Sequence, residues 1–157
     1  MNKKDLILGS WVKTAHGFGK VRELREDRAH IKVTGDKTLR SFAYKDLNGI
    51  TLTTDFIEDT LGITEKPNES QVKNLNLERN AYILAGSLDY LYILWEGIYT
   101  RQNDLHWNLG LVLLDSLDPT ENRLIRTFAW DIKYLHQLQV LSGIIPELNM
   151  NLSKIKL

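Results

Sequence analysis

Three features of the chain predict an α+β fold with a small N-terminal β-barrel of the SH3-like kind. Short runs of alternating apolar and polar residues recur through the first fifty positions, at roughly ten-residue spacing. A second series of runs, rich in Tyr, Ile and Trp, lies between residues 72 and 128 and favours sheet. Residues 129–142 then carry apolar side chains at helical spacing. The expected layout is a barrel over 1–50 and an α+β region over 51–157. In that region a short helix (54–61), antiparallel strands (72–128) and a helix (129–142) pack together. The two parts are expected to be separate or to form one continuous domain.

Leu6 to Lys13 is the first expected strand, with Gly9 early in it and a turn at His16-Gly17-Phe18-Gly19 after it. Lys20 to Leu24 is the second, and Arg25-Glu26-Asp27-Arg28 a charged turn. Ala29, Ile31 and Val33 alternate with His30 and Lys32, so period two sends the first three inward and the other two outward. Gly35-Asp36-Lys37 turns the chain into a fourth strand, Leu39 to Tyr44. Next, Thr53 or Thr54 can cap a short helix with acids in its first turns, Phe56, Ile57 and Leu61 on one face, and Gly62 at its end. Ile63 to Glu69, with the turn-rich Pro67-Asn68-Glu69-Ser70, is polar and reads as a mobile connection. Strands are expected at Val72–Leu77, Tyr82–Ala85, Tyr90–Trp95 and Ile98–Thr100. Leu109–Leu114 reads as a strand with helix as the alternative, and Arg123–Phe128 as an edge strand. In the last helix Trp130, Tyr134, Leu138, Leu141 and Ile145 make a narrow stripe that Leu135 widens, and the helix stops at Gly143 with Pro146 beyond.

The chain has 157 residues, of which 43% are hydrophobic and 25% charged, enough to bury a core. Formal net charge is zero, which argues against a binder relying on bulk positive charge. The charge is unevenly spread. Residues 1–50 hold 11 Lys and Arg against 6 Asp and Glu, and residues 51–157 hold 9 against 14. The absence of cysteine excludes disulfides and thiolate metal sites. After the basic start, Leu6-Ile7-Leu8 is too short for a signal peptide or a membrane span, so a cytoplasmic protein is expected.

Three ordered segments carry a resemblance. Leu6-Ile7-Leu8-Gly9-Ser10-Trp11-Val12 fits L-x-x-G-x-W-V, and Trp11 to Val21 looks like the first hairpin of several SH3-like barrels, Tudor-like ones included. Ile50 to Ile63 fits I-x-L-T-x-x-x-[LI]-x-x-x-G-[FI], with one residue more before the glycine. Ile132 to Gln139 fits I-x-Y-[VL]-H-Q-L-Q. Together these segments, about a fifth of the chain, resemble a group of small uncharacterised bacterial proteins found in prophages and other mobile elements. The chain departs from the group after Gln139. There Val140 to Leu148 replaces an N-L-Y-x-A-L-T-G-E-E-L run. The resemblance implies a phage or mobile-element accessory protein and carries over no catalytic residue.

No P-loop, nucleophile elbow or dinucleotide-binding fingerprint is present, and Gly17-Phe18-Gly19-Lys20 reads as a hairpin tip. His16, His30, His106 and His136 lie at none of the metal-ligand spacings, and His136 reads as a packing or surface histidine before it reads as a base. Asp115 and Asp118, with Asp104 and Glu121 nearby in sequence, have the residue types of a metal-dependent hydrolase, although a turn with solvated acids explains them more simply. No catalytic residue, cofactor or metal ligand is assigned. The strongest cue is basic: Lys20, Arg22, His30 and Lys32 are expected on one outward face, with Lys13, Arg25, Arg28 and Arg40 extending it. Trp11, Phe42 or Tyr44 would stack on bases if exposed. The plain alternative is a solvated face over buried aromatics, and a third is docking of the basic module on the acidic remainder of this chain or a second copy. The function expected first is therefore non-enzymatic binding of another macromolecule, a protein before a nucleic acid, with metal-dependent hydrolysis third.

Overall fold

Backbone pairing in a computed structural model follows the alternation of the sequence closely in the middle of each sheet and departs from it at the ends. The structure describes residues 1–72, 75, 77, 80–97, 105–115, 122–148 and 157, without the side chains of Ser70 and Trp130. It is α+β, with two antiparallel four-stranded sheets among the described residues. The chain divides into two units: Met1–Thr51 with Tyr134–Pro146, and Leu52–Lys133 with Glu147 and Leu148.

The first unit opens with a 3-10 turn at Lys3–Asp5. A meander follows: β1 (Trp11–Thr14), β2 (Gly17–Leu24), β3 (Arg28–Val33) and β4 (Arg40–Ala43), in the order β1-β2-β3-β4. The expected first strand is thus shortened. Gly9 adopts φ +89°, a left-handed conformation that breaks an extended run, so Ile7 to Ser10 form a turn before β1. The first hairpin also turns earlier than expected, at Ala15-His16. Thr14 Oγ1 donates to Gly17 O (2.9 Å) and accepts from His16 N–H (3.1 Å), leaving Gly17 to Gly19 free to pair in β2. The fourth strand ends at Ala43, and Tyr44–Asp46 is a 3-10 turn. Beyond it Asn48 and Lys13 exchange backbone hydrogen bonds of 2.9 Å, which brings the chain back to β1.

Val12, Val21, Ala29, Ile31 and Val33 form the inner face and exclude solvent almost completely. Fully burying such a branched side chain contributes about 1.5–3 kcal/mol. Gly19 is required in the middle of β2, because a Cβ there would come within 2.4 Å of Ile31 Cγ2. Helix α2 (Leu135–Ile144) belongs to this unit and packs against β1 and the first 3-10 turn. Its buried amide, Gln139, accepts from Trp11 N–H (2.8 Å) and donates to Gly9 O (3.2 Å). The expectation of a helix over 129–142 resting on the second sheet is corrected in both place and partner. Residues 129–132 continue a strand, since Ile125, Thr127 and Ile132 are β-branched and Phe128 is aromatic. Asp131, at φ +60°, interrupts it. Gln137 Oε1 then accepts the Tyr134 N–H at 2.9 Å and starts α2. Gly143 lies inside the helix, which ends one residue later.

In the second unit Thr54–Thr60 is helical as expected, but wound partly as a π-turn: Leu61 N–H donates to Phe56 O (3.0 Å), five residues back. Thr53 Oγ1 accepts the Phe56 N–H (3.1 Å) and Gly62 ends the segment at φ +67°. The strand expected at Val72–Leu77 is not one at its start: Glu69–Val72 forms a helical turn, α1. Asn68 Oδ1 accepts from Gln71 N–H and Gln71 Oε1 from Asn68 N–H, a reciprocal cap that outweighs the short apolar alternation. Lys73, Asn74 and Asn76, and the strand expected at Ile98–Thr100, lie outside the described residues.

Strands β5 (Ala81–Gly86), β6 (Tyr90–Glu96), β7 (Trp107–Leu113) and β8 (Arg123–Ile132) pair in sequence order. Arg123–Phe128 is thus part of an outer strand, as expected, but one that runs on to Ile132. One face packs Leu91, Ile93 and Val112 against Val72 and Leu75. On the other, Trp107 lies against Tyr82 (5.7 Å between ring centroids) and its indole N–H donates to Leu52 O at 2.9 Å. No helix of the described residues is long and apolar enough to cross a membrane.

Candidate interaction surfaces

Cross-strand pairing decides which side chains share a face, because directly opposed residues in an antiparallel ladder point the same way. On the outer face of the first sheet Trp11 is opposite Lys20, Lys20 is opposite Lys32, and Lys13 is opposite Phe18. Lys20 and Lys32 therefore stand side by side as like charges, an arrangement that costs stability. Lys20 Nζ lies 5.8 Å from the Trp11 ring centroid, and Lys32 Nζ donates to Lys37 O.

The expected patch is only partly assembled. A bulge between Val21 and Glu23 makes Arg22 the extra residue and puts Glu23, not Arg22, opposite His30. Glu23 Oε2 is 2.8 Å from His30 Nδ1 and its other oxygen 2.9 Å from Arg25 Nε. The Arg25 hydrogen bond, with His30 adding to it, holds the Glu23 carboxyl below the usual range. Arg28 is paired with Asp27 at 2.7 Å. Arg40 is opposite Ile31, hence on the other face, and pairs with Asp36. What remains together is Lys13, Lys20 and Lys32, with exposed Arg22 beside them. The aromatics proposed for stacking are mostly withdrawn. Trp11 is 9% exposed, Tyr44 is buried with its hydroxyl donating to Arg25 O, and Phe42 is half-buried against His16.

A second surface, unexpected from the sequence, lies on the second sheet. Tyr90, Leu113 and Arg123 form one row across β6, β7 and β8, and Tyr92, Leu111 and Arg126 form the next. The result is a column of tyrosines, a column of leucines and a column of arginines. Tyr90 meets Tyr92 edge-on at 5.9 Å, Tyr92 packs on Phe128 at 5.8 Å, and the Arg126 guanidinium lies 5.2 Å from the Phe128 ring centre. Leu113 is 41% exposed, Arg123 and Arg126 are exposed, and neither arginine is paired with a carboxylate among the described residues. Burial raises the Tyr92 phenol pKa, and the negative charge of Glu147 raises it further. Leu124, exposed near the β8 tip, lies opposite Val112 and so on the other face of the sheet.

Tyr82 donates to Glu58 Oε1 (2.7 Å), which also meets Lys66 Nζ (3.0 Å). These two partners lower the Glu58 pKa, while burial and the Glu58 carboxylate raise that of Tyr82. Lys66 borders a cleft of about 410 Å³ along β5, also lined by Glu65, Gln71, Ile83 and Ser87. His136 is buried at 4% exposure, stacks on Tyr134 at 5.6 Å, and finds no hydrogen-bond partner for Nδ1 among the described residues. It is a packing residue whose pKa burial lowers. Asp115 is exposed, and its N–H donates to Asn122 Oδ1. Asp104, Asp118 and Glu121 lie outside the described residues. Among the described residues no three His, Asp or Glu side chains converge on a point that could hold a metal ion. No protein-family model matches this chain, and no curated protein and no solved structure matches it.

Proposed function

We propose that this chain is a non-enzymatic binding protein whose partner is another macromolecule, in the first reading a protein. The observation that carries it is the Tyr-Leu-Arg face of the second sheet, where exposed Leu113 adjoins two guanidinium groups with no carboxylate partner among the described residues. Tyr and Arg are the side chains that dominate protein interfaces, and contiguous exposed apolar surface marks contact sites. The ordered motifs at Leu6–Val12, Ile50–Ile63 and Ile132–Gln139 favour an accessory role in a phage or other mobile element, acting in the cytoplasm. The meander β1–β4, the 3-10 turn after it and the return of Asn48 to β1 favour an SH3-like arrangement of the first unit. Affinity capture from a bacterial host lysate, with and without nuclease, tests the reading. A stoichiometric protein that survives nuclease is expected; capture of nucleic acid alone, or of nothing, refutes it.

One observation favours nucleic acid as a second reading. Lys20 and Lys32 oppose each other on the outer face of the first sheet with no carboxylate paired to either among the described residues, and a phosphate between them would relieve the repulsion. Retention of DNA or RNA that falls steeply with salt, and is lost in Lys20→Glu with Arg22→Glu, is the result this reading requires.

A further inference from the structure

We infer that the Tyr-Leu-Arg face of the second sheet takes an extended, acidic segment of a partner protein, with apolar side chains alternating between its carboxylates. The inference deepens the protein-binding reading and rests on it. Three features select this occupant. The middle column, Leu111 and Leu113, is apolar and offers no hydrogen bond, so it suits an aliphatic side chain rather than a sugar or phosphate. The column on β8 supplies two guanidinium groups on the same side of the strand, Arg123 and Arg126, without carboxylate partners among the described residues. A guanidinium binds a carboxylate through two parallel N–H donors, a geometry that a planar acid matches. An extended segment lying on edge between the two columns sends successive side chains to opposite sides, so carboxylates can follow the arginine column while intervening residues fill the leucine column.

The tyrosine column argues against stacked bases. The Tyr92 ring already packs against the rings of Tyr90 and Phe128, and only 7% of the residue is exposed. A base-stacking platform needs an open ring face, and this one is closed. Glu147 further sets the polarity of the surface. Its negative charge acts on Tyr92, so an acidic segment is repelled from the tyrosine side and drawn to the arginine side.

The test uses the full chain and a short fluorescent peptide alternating glutamate with leucine, read by anisotropy. Its lysine-for-glutamate counterpart and an oligothymidylate are run in parallel. The glutamate peptide is expected to bind and the other two not to bind at this face. Arg123→Glu with Arg126→Glu, and separately Leu113→Asp, should each weaken binding by about tenfold or more. The double arginine variant should in turn bind the lysine peptide, a gain that misfolding cannot produce. Failure of the parent chain to bind the glutamate peptide overturns the inference. So does affinity unchanged in both variants, or displacement of the peptide by oligothymidylate. If a protein captured from lysate is held equally by the parent and the double arginine variant, this surface is the wrong one while the protein-binding reading stands. If neither captures a protein, that reading fails as well.

Discussion

Replacing Gln139 by leucine removes the buried amide that ties α2 to the start of β1, and its cost can be worked from two hydrogen bonds. The Trp11 N–H, donated to Gln139 Oε1 at 2.8 Å, is buried, whereas Gly9 O, accepting from Gln139 Nε2 at 3.2 Å, is only partly so. Stranding a buried donor costs about 1–3 kcal/mol, and a partly solvated acceptor at the longer distance less, about 0.5–1 kcal/mol. Leucine nearly keeps the volume, so no large cavity offsets or enlarges the loss. The expected destabilisation is about 1.5–4 kcal/mol, read from urea unfolding followed by tryptophan fluorescence and circular dichroism. Gln139→Glu sharpens the test. Its protonated carboxyl can accept from Trp11 N–H and donate to Gly9 O, whereas its carboxylate can only accept, so that variant should lie closer to the parent in acid than at neutral pH. A Gln139→Leu chain within about 0.5 kcal/mol of the parent would refute the assignment of the amide as the tie between helix and strand.

His136, with its pKa lowered by burial from the ordinary 6.5, makes stability depend on pH. Below that ordinary value the unfolded chain takes up a proton that the folded chain resists, so stability is full above it and falls as pH falls towards the folded pKa. The melting temperature should therefore drop between neutral and mildly acidic pH, and His136→Gln should flatten that slope. Gly19→Ala forces a Cβ to within 2.4 Å of Ile31 Cγ2 and should cost about 1–3 kcal/mol in urea unfolding. Tyr82→Phe removes the first of the two hydrogen bonds that hold the Glu58 carboxyl low, so its pKa should rise towards the ordinary value in a carbon-detected NMR titration.

How much of the structure the sequence discloses depends on whether local pattern or distant pairing governs each residue. Ala29, Ile31 and Val33 alternate with His30 and Lys32, and one buried face reads directly from that period. The boundaries at Gly9, Thr14 and Asn68 are set by left-handed backbone and by side-chain caps, which compete with apolar alternation and win. At 129–132 the residues suit either helix or strand, and only the pairing of Ala129 with Leu109 and Ile132 with Trp107 decides it. The basic face was legible as charge but not as geometry. The bulge at Arg22 brings Glu23 opposite His30, and the register of β4 turns Arg40 to the other side. The tyrosine and leucine columns leave a trace in the alternation of Tyr90 with Tyr92 and of Leu111 with Leu113. Arg123 and Arg126 do not, because they are three apart and share a face only through a register shift in β8.

The first unit is written in two pieces, and this has a consequence for how it is made. The contact between Trp11 and Gln139 spans 128 positions of chain. At a synthesis rate of about 5–20 residues per second, β1 leaves the ribosome roughly 6–26 s before the amide that completes it. Over that interval β5 to β8 emerge and can pair, while the opening meander waits without its closing helix. The nascent chain therefore finishes its middle before its beginning, and any product released before Gln139 carries a first sheet whose leading strand has lost the partner for its Trp11 amide.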